Sequence, residues 1–173
     1  MAEEEGFAGT SDQPLNGEDT APQVGMISQY VKDLSFENPN APAVYQWQSQ
    51  PQIEVQFNIG TNQLAEDVFE VALKIEVIVR ADSNTAFAVD LLYAGLFAMR
   101  NLPAEQLQPF LLAEGPRLLF PFARRVVSDA IRDGGFPPLL LDPIDFGQLY
   151  MERAAQMQAE ATGAQASLET GDA

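Results

Sequence analysis

The sequence predicts an α+β fold: a four-stranded antiparallel sheet with helices packed on one side. Two observations carry this. Between residues 27 and 97 the apolar positions recur with a period of two, in four runs. Beyond residue 104 the spacing becomes helical, so strands come first and helices follow, segregated from them. The expected topology of the strands is an antiparallel meander.

The first strand is expected over residues 27–37. Leu34 and Phe36 fall on one face, with Asp33, Ser35 and Glu37 on the other. Asn38-Pro39-Asn40-Ala41-Pro42 then breaks the chain. The second strand, residues 52–59, alternates Ile53, Val55, Phe57 and Ile59 with Gln52, Glu54, Gln56 and Asn58. The third, residues 67–81, sets Phe69, Val71, Leu73, Ile75, Val77 and Val79 against Glu70, Lys74, Glu76 and Arg80. Asp82-Ser83-Asn84 is a turn signal. The fourth, residues 85–97, lines up Phe87, Val89, Leu91 and Tyr93. Its other face (Ala86, Ala88, Asp90, Leu92) is also apolar at the far end, which suggests contact with something besides the protein's own core.

A short helix is expected over 104–114, made irregular by Pro109. Residues 117–133 form a strongly amphipathic helix. Leu119, Phe120, Ala123, Val126, Val127, Ala130 and Ile131 share one face, Arg124, Arg125 and Arg132 lie on the other, and Gly134-Gly135 ends it. The prolines of FPPLLLDP (136–143) keep that connection extended. Asp142-Pro143-Ile144-Asp145 resembles a helix start, with Asp142 as N-cap, for a last helix over 144–158. Residues 1–23 and 159–173 lack apolar periodicity and are expected as disordered tails around one domain, 24–158.

Composition narrows function. The chain has 173 residues, 46% apolar, enough for one domain with its own core. It has no cysteine and no histidine, which removes disulfides, Cys/His metal sites and His-based nucleophilic catalysis. The net charge of −16 disfavours nucleic acid and anionic membrane surfaces, and favours basic protein partners. No apolar run is long enough to span a membrane, and the acidic start MAEEEGFAGTSDQ lacks the features of a secretory signal, so a cytoplasmic protein is expected. No phosphate-binding glycine loop occurs.

Asp33 and Glu37 share a strand face, roughly 13 Å apart at strand rise. That exceeds the roughly 5–9.5 Å of two carboxylates sharing acid/base work. With Asp90 they form either a solvated sheet face or an acidic docking patch. Phe57, Phe69, Phe87, Tyr93 and Phe97 are core or line a groove. One small sheet cannot hide this much apolar surface, so the excess should meet a partner subunit, a ligand, or both.

These residues together resemble the SecB protein-export chaperone family. The resemblance rests on YVKDLSFENPNAP (30–42), QLAEDVFEVALKIEV (63–77), YAGLF (93–97) and LLFPFARRVVSDAIRDGGFPPLLLDPIDFGQLY (118–150), and spans roughly 25–158. The DLSFENPNAP and GGFPP variants look alphaproteobacterial. The resemblance implies a homotetramer, a dimer of dimers, without catalysis or cofactor. It implies a holdase that binds unfolded secretory precursor proteins and delivers them to the SecA ATPase. It implies SecA docking at Asp33, Glu37, Ala88 and Asp90, with Ala88 where other members carry leucine. It implies a client groove around Ile53, Val55, Phe57, Phe146, Leu149 and Tyr150, and a tetramer interface at Val89, Leu91 and Tyr93. Gly115 stands where relatives often carry Cys, and is expected to loosen the helix break there. The alternative is a SecB-like chaperone with other clients, such as a toxin–antitoxin component.

Overall fold

The structure, a computed structural model, describes residues 20–169, and side chains through residue 161. The parts of the two expected tails before residue 20 and after residue 169 lie outside the described residues. Four strands, β1 (Gln23–Glu37), β2 (Gln52–Ala65), β3 (Val68–Ala81) and β4 (Asn84–Arg100), form one antiparallel sheet in the order β1-β4-β3-β2. Only β2, β3 and β4 follow one another as a meander. β1 lies at the far edge beside β4, so residues 38–51 must cross one end of the sheet to reach β2. This corrects the simple meander.

The β3–β4 hairpin explains why the two longest apolar runs sit in the middle. Asp82 and Ser83 both take positive φ, 49° and 67°. A two-residue turn of this hand matches the twist of paired strands, and short polar residues tolerate it best. Both flanking strands are then paired on two sides. Odd-numbered residues of β3 and β4 point to the helices: Leu73 opposes Tyr93, Ile75 opposes Leu91, and Val77 opposes Val89. All six are buried. Each such aliphatic side chain contributes about 1.5–3 kcal/mol on burial.

The helical layer begins with α1 (Ala104–Pro109) and passes through a wide π-helical turn (Phe110–Glu114) into α2 (Gly115–Asp133) without leaving helical geometry. Pro109 removes one backbone donor, and the widened turn follows it. Gly115 does not loosen this junction. It is buried, and a Cβ there would stand 3.1 Å from Val71 Cγ2, so the absent side chain lets the helix close onto β3. α2 buries Leu119, Phe120, Ala123, Val127 and Ile131, the stripe read from the spacing. It ends at Gly134-Gly135, where Gly135 takes φ +84°.

α3 (Phe146–Glu169) starts three residues later than a cap at Asp142 would require. Its cap is Asp145, whose Oδ1 accepts the Gln148 N–H at 2.9 Å. Two prolines and the Asp142-Pro143 step keep the chain extended up to that point. α3 continues past the expected end at 158 to Glu169, so 159–169 is helical. Alanine, glutamine and glutamate favour helix intrinsically, and the exposed residues 151–161 show that packing is not what holds it.

Candidate functional site

Strand parity builds an acidic outer sheet face. β1 has an irregular register between Val31 and Asp33. Tyr30 pairs with Ala94 and Asp33 with Leu92, so the extra residue, Lys32, lets an even and then an odd position share the outer face. From there Ser35 opposes Asp90 and Glu37 opposes Ala88. Asp33, Glu37, Ala88 and Asp90 therefore share one surface, with Asp90 diagonal to both β1 acids. Two residues not singled out from the sequence join them. Glu76 opposes Asp90 on β3, and the Lys74 ammonium lies 3.1 Å from Glu76 and 3.2 Å from Asp90. Hydrogen bonds to Glu76, then to Asp90, raise the Lys74 pKa. The alternation of β3 held the signal for Glu76, but the partner strand's register did not show in the sequence.

Farther along the same face Tyr30 and Lys32 reach over β4 to Glu70. Tyr30 Oη donates at 2.6 Å and Lys32 Nζ sits at 2.6 Å. The Lys32 hydrogen bond first, and the Tyr30 one second, hold the Glu70 carboxyl below its usual range. The bond to Glu70 also pushes Tyr30 up to about 12. Ala94, beneath this strap, is fully buried. Leu92, the apolar residue at the far end of the expected outer face, stays half-buried beside Asp33.

On the opposite face the helices cover β3 and β4 but leave the inner face of β2 partly open. A cavity of about 380 Å³ lies between Ile53, Val79, Phe87, Trp47, Phe136 and Leu139. A second, of about 420 Å³, lies between Phe57, Ile59, Leu112, Leu149, Tyr150 and Met157. Ile53 and Phe57 are four residues apart on one strand face, so the pockets are spaced by roughly 13 Å. Half-buried Val55 lies between them. Five of the six expected groove residues thus fall along this side. Phe146 does not: it is 2% exposed and packs edge-on against Phe120 at 5.7 Å, an anchor for α3 and not a contact surface. The first pocket's other walls, the crossover (Val44, Trp47) and the segment Phe136–Leu139, read in sequence only as connections. The chain's single tryptophan, set in a polar loop, was the available signal.

Val89, Leu91 and Tyr93 are 2%, 0% and 6% exposed within one chain. They face α2 and are covered within the chain itself. Apolar surface open to a second copy lies elsewhere. Val31 and Leu34 on β1, and Leu118 and Phe122 on α2, are all exposed.

Among the described residues no group of His, Cys, Asp or Glu could hold a metal ion, and no helix is long and apolar enough to cross a membrane. Apolar pockets lie along the inner side of the edge strand β2, and the acidic surface lies on the other face of the same sheet. The comparisons with known proteins give the family. The family model described as "Preprotein translocase subunit SecB" matches residues 17–157. "Protein-export protein SecB" of Rhizorhabdus wittichii is 64% identical over 159 residues, covering 92% of this chain and 94% of that one. Its counterpart in Sphingopyxis alaskensis is 62% identical over 148 residues, covering 86% of each. In structure the chain is similar to a Mycobacterium tuberculosis SecB-like chaperone solved with an antitoxin peptide. The TM-score is 0.59 at 18% identity, covering 70% of this chain and 90% of that one, which is a likeness of fold. The chain belongs to the SecB family of protein-export chaperones.

Proposed function

We propose that the protein is a cytoplasmic, homotetrameric holdase. It binds precursor proteins while they are unfolded and passes them to the SecA ATPase, without catalysis or cofactor. The observation that carries this reading is the pair of apolar pockets on the inner face of β2. A non-native chain exposes scattered apolar side chains. Two pockets roughly 13 Å apart accept side chains about four residues apart in an extended segment. At about 25 cal/mol per Å² each contact is weak, and repetition over a tetramer supplies avidity. Little sequence selectivity is required, as suits many clients.

Delivery is assigned to the outer face. Asp33, Glu37 and Asp90, with Ala88 beside them, offer fixed negative charge to a basic segment of SecA. Client and SecA then occupy opposite faces of one sheet, so both can be bound at once. Tetramer formation is assigned to the exposed apolar residues of β1 and α2. A binding titration of the intact protein with purified SecA, at several salt concentrations, tests the delivery step. Affinity should fall steeply with salt; salt-independent or absent binding would remove SecA docking from this face.

A further inference from the structure

We propose that Lys74 is a built-in competitor for the basic partner of the acidic sheet face, lowering that partner's affinity by holding Asp90. The inference rests on the docking reading above and deepens it. Lys74 sits within the patch, bonded to Glu76 and Asp90 at 3.1 and 3.2 Å, and the three side chains are 38–40% exposed. The other cations of this face are engaged elsewhere: Lys32 on Glu70 and Arg80 on Glu54, each at 2.6 Å, and Arg100, at the end of β4, on Asp67 at 4.0 Å. Lys74 is thus the cation that already makes, within the free chain, the contact a docking lysine or arginine would make with Asp90.

A different role is also present in the geometry, and it has the opposite sign. Glu76 and Asp90 stand directly opposite on neighbouring strands. Like charges so placed repel, and Lys74 between them relieves the repulsion. Removing Lys74 alone mixes relief, net charge and competition. Removing Lys74 and Glu76 together separates them: K74Q/E76Q keeps the net charge of the native chain and leaves no Glu76 to repel Asp90. A gain in affinity then reports competition at Asp90.

The test is titration of the full-length protein with SecA, for the native chain, K74Q/E76Q, D90N and the triple variant K74Q/E76Q/D90N. Thermal melts confirm that each is folded. The expected result is about two- to fivefold tighter binding by K74Q/E76Q, the range an exposed ion pair can supply. That gain should shrink in high salt and vanish in the D90N background. Equal or weaker binding by K74Q/E76Q, with D90N still weakening SecA, would overturn the competitor and leave the docking face standing. If D90N changed nothing in either background, the docking reading itself would fall, and this inference with it.

Discussion

Glu70 is where a single side chain decides the most on the outer face. It is 8% exposed, on a sheet face whose charged residues Lys74, Glu76 and Asp90 are 38–40% exposed, and two charge-assisted bonds offset its burial. Its carboxyl is held below the usual range by Lys32 and then Tyr30. The folded chain therefore binds this proton less readily than the unfolded chain does. The resulting stability is present above the ordinary carboxylate pKa and is lost as pH falls through the lower folded value. In thermal melts between pH 5 and pH 3, the native chain should lose stability more steeply than E70Q; equal slopes would mean that the strap contributes nothing. Y30F removes one donor to a charged acceptor and should cost about 1–2 kcal/mol in urea unfolding. Gly134 is a second such position. A Cβ there would lie 2.1 Å from Phe36 Cζ, and Phe36 also stacks with Phe87. G134A should cost about 1–3 kcal/mol by displacing that ring.

At the scale of the element, β1 joins two jobs that its sequence shows only in part. The alternation from Asp33 to Glu37 was legible, because a period of two needs no knowledge of the partner strand. The pairing beside β4 and the extra residue at Lys32 were not, because register is set by the neighbouring strand and the crossover. The same limit hid the pairing of Glu76 and Lys74 with Asp90; the interface role of Val89, Leu91 and Tyr93 came from the resemblance alone, and their parity puts them under α2. The stripe of α2 was legible almost residue by residue. The start of α3 falls after Asp145 instead of Asp142, since the proline-rich approach holds the chain extended until the Gln148 N–H meets the Asp145 carboxylate. For β1 the consequence is direct. Charge reversal at Asp33 and Glu37 touches only the outer face. D33K/E37K should weaken SecA binding tenfold or more at low salt while binding of an unfolded client is retained. Equal loss of both would place the two sites on one surface.

For the whole molecule the decisive fact is how the two sheet faces divide the work. Helices cover β3 and β4, the inner face of β2 is left as a pair of pockets, and the outer face is left charged. The exposed residues Val31, Leu34, Leu118 and Phe122 are the ones the proposed function assigns to assembly. Native mass spectrometry should show a tetramer, and F122D or L118D should shift it to smaller species without unfolding the chain; a native chain that stays monomeric would contradict the assembly. The central claim is that the pockets hold unfolded polypeptide. It is tested most directly by diluting a denatured precursor protein into buffer with and without this protein, in the absence of nucleotide, and following light scattering. The expected result is suppression of aggregation at about one tetramer per precursor, lost when Ile53 and Phe57 are both replaced by aspartate. A scattering curve indistinguishable from that with an equal mass of inert protein would contradict it.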